Sequence, residues 1–276
     1  MPTRNQFGRL HGSTAAAVLI VFLAVVTTGG QTPAAQTQLP RTAAGKPDLN
    51  GIWQALGTAN WDLEGHEARP SPVLSLGAVG AVPAGMGVVE GGRIPYQPWA
   101  AAKKLENAKN WLKLDPEVKC FLPGVPRATY LPHPFQVFQS PGRLLIVYAF
   151  SYARREINMV PHGKAPADFW MGWSDGRWEG DTLVVDVTSF NDRSWFDRAG
   201  NFHSEQLHVV ERYTPATPYH MAYEATIDDP KVFTRPWKIS MPLYRLVDKN
   251  AQLLEFKCVE LTEELLYGDL VKKPKK

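Results

Sequence analysis

Trp170 to Tyr213 reads WMGWSDGRWEGDTLVVDVTSFNDRSWFDRAGNFHSEQLHVVERY, and this stretch decides the fold class. It is the densest run of aromatic, acidic and histidine residues in the chain. In its middle, Leu183, Val185 and Val187 alternate with Thr182, Val184, Asp186 and Thr188, the period-two signature of a half-buried strand. At its end, Leu207, Val209, Glu211 and Tyr213 alternate with His208, Val210 and Arg212. Between them lies a long polar loop, Asn191 to Ser204.

The same alternation continues on both sides. Strands are expected near 135–139, 143–150, 153–159, 219–227, 237–245 and 252–259. Turn chemistry separates several of them: Ser140-Pro141-Gly142, Glu179-Gly180-Asp181 and Asp248-Lys249-Asn250. No helical crossover intervenes, so the sheet is read as antiparallel. Sequential hairpins at this spacing predict an antiparallel β-barrel or a curved β-sandwich, with a calycin-like barrel among the forms they allow.

Ile157 and Met159 share a face with Arg155, opposite Arg154, Glu156 and Asn158. Met221, Tyr223, Ala225 and Ile227 oppose His220, Glu224 and Thr226. Two arrangements fit such strands. Either the polar faces are solvated and the apolar ones covered, which is favoured, or the polar faces line a wet cavity.

Upstream, Asp48 to Trp53 reads as a short strand. Its Gly51-Ile52-Trp53 is similar to the Gly-x-Trp that opens lipocalin-like barrels. The preferred reading is a tryptophan plugging one end of a β-core. Pro70 to Pro95 is a long apolar loop of the kind that forms a lid. Pro98 to Leu114 is the one convincing helix, with Trp99, Leu105, Ala108 and Leu112 on its inward face and Asp115-Pro116 as its stop. Glu260 to Leu270 suits a short terminal helix.

The N-terminus sets the compartment. Arg4 and Arg9 precede the apolar run Ala15 to Val26, and small and polar residues follow to Gln36. This is the pattern of a cleaved signal peptide over residues 1–36, and the run is too short for a comfortable membrane span. A periplasmic or secreted protein with no stable membrane anchor after processing is expected. Residues 37–47 then form a linker, 48–271 a single β-rich domain, and 272–276 (KKPKK, with Lys272 and Lys273 first) a basic tail. Without Arg4 and Arg9 the chain carries 28 basic and 27 acidic residues, and no basic face suggests a nucleic-acid partner. Cys120 and Cys258 meet an oxidising compartment and are expected to pair.

Chemistry concentrates on the Asn191–Ser204 loop. Asp192, Asp197 and His203 lie beside Trp195 and Phe196, with His208 on the strand that follows. Acid–base work by His203 or His208 with Asp192 or Asp197 is the least strained enzymatic arrangement. Arg154, Arg212, Trp170, Trp195 and Glu211 are candidate substrate-binding residues. The alternative for the loop is self-packing, with its aspartates capping turns. For the arginines it is cross-strand ion pairing with Glu156, Glu211 or Glu224. His203 and His208 would point to opposite faces of one strand, and no metal or cofactor is expected. No Gly-x-Ser-x-Gly elbow is present.

GRWEGDTLVVDVTSFND, WFDRAGNFHS, LHVVERYTP and DDPKVFTRPWKI, with GGRIPYQPWA, KCFLPGVPRATY and LLYG, resemble a large family of secreted bacterial proteins that has no established activity. The resemblance covers nearly all of the mature chain. It implies export, one β-rich domain and the same two cysteine positions, and it carries no catalytic residue or cofactor. Where such proteins tend to place an Asp-Gly turn after the Arg154 strand, this chain has Val160-Pro161-His162-Gly163.

The leading expectation is an exported protein that binds a small organic ligand in a cavity or cleft beside the 191–208 loop. The alternatives are a hydrolase, lyase or isomerase using His/Asp chemistry, and an envelope structural or interaction protein.

Overall fold

A computed structural model describes residues 38–270 apart from Pro72 and Pro161. The expected leader and basic tail lie outside the described residues.

Nine strands close into one barrel in chain order. They are β1 (Gly51–Ala55), β2 (Phe135–Ser140), β3 (Arg143–Tyr148), β4 (Arg154–Asn158), β5 (Trp173–Glu179), β6 (Thr182–Thr188), β7 (His208–Thr217), β8 (His220–Asp228) and β9 (Trp237–Arg245). β9 pairs back onto β1 through Trp53↔Arg245, Gln54↔Tyr244 and Ala55↔Leu243, so the sheet has no open end. The barrel reading therefore holds over the sandwich.

The alternation predicts the faces correctly. Leu183, Val185, Val187, Val209, Met221, Tyr223, Ala225 and Ile227 are all buried inside. They pack with Phe135, Leu144, Ile146, Ile157, Ile239 and Leu243 into one filled core. The polar faces look outward. Trp53 is buried and donates through Nε1 to Leu49 O at 2.9 Å, while the Arg245 guanidinium lies 5.0 Å over its ring. Trp53 thus packs into the barrel core.

Three expectations need correction. First, the barrel is mixed: β4 and β5 run parallel, and every other neighbouring pair is antiparallel. A parallel pair needs a long crossover but not a helical one. Here an irregular connection, residues 159–172, does the work. β5 itself was missed because Ser174, Asp175, Gly176 and Arg177 give it no apolar alternation.

Second, residues 252–259 form no strand. Only Phe256 makes a single bridge, to Phe150. Third, the helix breaks at Asn110 into α1 (Pro98–Lys109) and α2 (Trp111–Leu114). Its buried residues are Ala100, Asn107 and Leu112, whereas Trp99 and Leu105 are exposed. A close backbone approach turns the helix this way. A Cβ on Gly200 would stand 2.6 Å from both Lys104 O and Ala108 N, so only glycine fits against this face. Two short helices complete the fold: α3 (Arg127–Tyr130), wholly buried, and α4 (Thr262–Tyr267).

Cys120 and Cys258 are joined, with Cα atoms 5.4 Å apart. The bond ties the loop after α2 to the C-terminal strap that follows β9. Within the 70–95 loop, Val89 forms an isolated bridge to Ile239 of β9.

Candidate functional site

The Asn191–Ser204 loop packs largely on itself and its hydrogen bonds are mostly internal. His203 is buried; its Nδ1 lies 2.9 Å from Ser204 O and its Nε2 2.8 Å from Ser194 Oγ. The carbonyl can only accept, so Nδ1 carries the proton and Nε2 accepts from the serine. Phe190 and Phe196 pack on the ring. Neither Asp192 nor Asp197 is among its hydrogen-bond partners, so the predicted dyad is not formed.

Asp197 is fully buried and accepts from the backbone of Leu63 (2.8 Å), Ala199 (2.9 Å) and Asn201 (3.2 Å), and from the Asn201 amide. It caps the turn that the self-packing alternative describes. Burial, then the Asp62 carboxylate, pushes its pKa up to about 7 against those donors. Asp192 is exposed, and Trp195 is buried within the loop. His208 lies on the outer wall, 3.1 Å from Asp186 Oδ1, and Arg212 pairs there with Glu179 at 2.9 Å.

Burial lowers the His203 pKa below its ordinary 6.5. A histidine depressed in the fold is held neutral. Its contribution is complete above the unfolded value and is lost as pH falls below about 6.5. The wild-type melting temperature should therefore drop more steeply than that of His203→Asn between pH 7 and 5. Parallel curves for the two proteins would refute this.

A second buried cluster holds the loop to its neighbours. Arg127 binds Asp115 through two bonds of 2.7 and 2.9 Å and reaches Glu117 at 3.3 Å. Glu117 also binds Arg198, which lies between the Trp61 and Trp111 rings and pairs with Glu263 of α4. All five charged residues pair with one another, which marks this as a clamp between loop, helix and C-terminal strap.

The site with room for chemistry is at the parallel seam. β4 and β5 share only two registered pairs, Ile157↔Ser174 and Asn158↔Asp175. The chain before β5 peels away, and Phe169 bridges Phe190 instead. The wall opens there into a cleft of about 730 Å³. That volume lies within the range of small-molecule sites. Tyr152, Phe169, Trp170 and Trp173 supply aromatic lining, and Arg143, Arg154, Glu156, His162 and Asp168 supply polar lining. Arg155 and Ser174 also contribute to its wall and are buried.

Behind them lies an ion pair inside the barrel. Arg155 Nη2 donates to Glu211 Oε2, and its Nε donates to Ser174 Oγ at 2.9 Å. Glu211 Oε1 accepts from Tyr213 (2.9 Å) and Tyr223 (2.7 Å). Arg155 Nη1 has no hydrogen-bond partner among the described residues. Despite burial, the facing Glu211 carboxylate holds the Arg155 guanidinium more firmly protonated than usual.

At the outer edge of the cleft, His162 Nδ1 lies 2.6 Å from Asp175 Oδ1. Its Nε2 faces Asn158 Nδ2 at 2.9 Å, and its ring stacks on Trp173 with centroids 4.1 Å apart. Nδ1 therefore donates to the carboxylate while Nε2 accepts from the amide.

Two of the residues chosen from sequence, Arg154 and Trp170, line this cleft, and Glu211 backs its wall through Arg155. His162, Asp175, Asn158, Phe169 and Trp173 were missed. The signal for His162 was its place in Val160-Pro161-His162-Gly163. The other four depended on recognising β5 and its parallel partner. No protein-family model matches the chain, and neither the curated proteins nor the solved structures yield a match.

Proposed function

We propose that this protein binds a small organic ligand in the cleft at the β4–β5 seam. The observation that carries this reading is the cleft of about 730 Å³ at the seam where β4 and β5 share only two residue pairs. Aromatic and charged side chains together line it, as they do many small-molecule sites. The cleft replaces the 191–208 loop as the place where ligand sits. Trp170→Ala should weaken binding at least tenfold, about 1.4 kcal/mol, through lost contact area. Native mass spectrometry of protein from its own host, with this variant alongside, tests the proposal. A retained ligand that is indifferent to Trp170→Ala would exclude the cleft.

A second reading is favoured by the 2.6 Å His162–Asp175 contact. A carboxylate that fixes the Nδ1 proton leaves Nε2 as the basic nitrogen, and a substrate that displaces the Asn158 amide from it would meet the parts of an acid–base enzyme of the hydrolase, lyase or isomerase type. His162→Gln would then abolish turnover and leave ligand affinity nearly unchanged.

Export is part of the proposal. The disulfide suits an oxidising compartment, and no helix among the described residues is long and apolar enough to cross a membrane. Intact mass of the cell-derived protein should place the mature N-terminus near residues 30 to 37. A full-length species would overturn cleavage.

A further inference from the structure

The charges around the cleft are almost all matched. Arg143 pairs with Glu156, Arg155 with Glu211, and His162 with Asp175. Two lining charges remain, Arg154 and Asp168, one of each sign. Both are exposed, and neither makes an ion pair among the described residues. Tyr152, Phe169, Trp170 and Trp173 line the same space.

We infer that the cleft takes an aromatic zwitterion, an α-amino acid or short peptide with an aromatic side chain. Its carboxylate meets Arg154, its ammonium meets Asp168, and its ring packs among the aromatic residues. This inference rests on the reading of the cleft as the ligand site.

The physical case is a matching of charge. A plain carboxylate would satisfy Arg154 and place a like charge near Asp168. A plain amine would do the reverse. Only a ligand with both groups meets both side chains, and each charged hydrogen bond adds more than a neutral one. An arginine presents a planar fork that suits a carboxylate. A ring between aromatic side chains gains further through offset or edge contacts.

Isothermal titration calorimetry with four compounds tests the inference. L-phenylalanine and L-phenylalanyl-L-phenylalanine are the zwitterions, and the tighter of the two separates amino acid from peptide. The single-charge analogues 3-phenylpropionate and phenethylamine share the ring. Each analogue is expected to bind at least tenfold more weakly than the better zwitterion. Arg154→Gln should erase the advantage of the zwitterion over phenethylamine. Asp168→Asn should erase its advantage over 3-phenylpropionate. Both positions are exposed, so circular dichroism and melting temperature should match the wild type.

An analogue within about threefold of the zwitterion overturns the class, as does no zwitterion binding up to about 10 mM. A retained ligand that depends on Trp170 but lacks one of the two charges would overturn the class and leave the cleft reading intact. Failure of every ligand to respond to Trp170→Ala would remove both.

Discussion

Glu211→Ala should cost the barrel roughly 3–5 kcal/mol, because it leaves the Arg155 charge buried without its partner. Both side chains are within 1% of full burial, so water cannot take the place of the carboxylate. The loss extends further, since Glu211 Oε1 also accepts from Tyr213 and Tyr223, and both hydroxyls would lose their acceptor. Against a typical total of about 5–15 kcal/mol, this would leave the domain marginal at 37 °C. Urea unfolding at neutral pH is the measurement. The double variant Arg155→Met with Glu211→Leu separates the pair from the single charge. It removes both charges together and should recover most of the loss, because buried ion pairs are often no better than apolar residues of similar volume. A Glu211→Ala loss below about 1 kcal/mol would mean that the barrel interior is wet around Arg155.

Arg155 and Glu211 also show how far the sequence could be read. Strict alternation places each on an apolar face, Arg155 with Ile157 and Glu211 with Val209 and Tyr213. One buried cation and one buried anion in the same barrel have to find each other. That step was available from the sequence. Cross-strand spacing offers Glu156, Glu211 and Glu224 as partners for Arg154 and Arg212, and leaves Arg155 without one. Strand β9 was placed to the residue because apolar and polar side chains alternate along it, and β6 was placed as well although Val184 is buried on its otherwise polar face.

The site was less legible. His203 and Asp197 lie in a loop that resembles a site by composition, yet their hydrogen bonds close inward on the backbone. Sequence shows which residue types are near each other along the chain. It does not show whether a polar atom is already satisfied. The cleft exists because β4 and β5 run parallel and part after two residue pairs, and no local pattern encodes that pairing. His162 and Asp175 are thirteen residues apart and meet only through it.

The second large effect is expected from the disulfide. Cys120→Ser with Cys258→Ser should cost about 5 kcal/mol on the chain-entropy account, since the bond closes 138 residues. That span holds every strand but the first, so the crosslink restricts nearly the whole unfolded barrel. The folded protein should change much less. Without the bond, the C-terminal strap keeps several described attachments. Phe256 bridges Phe150 and packs on His133 with ring centroids 4.1 Å apart, and Glu263 pairs with Arg198 at 2.9 Å. None of these involves a residue of the nine strands, so the barrel should remain closed. Two measurements check this in order. The urea midpoint should fall while the native near-ultraviolet spectrum persists. Limited proteolysis of the native double variant should then cut first between Leu246 and Leu270, leaving a protected barrel core. Early cleavage within β2 to β9 would show that the bond holds the barrel itself together. A stability loss under about 1 kcal/mol would show that the unfolded chain is already compact enough to keep the two ends close.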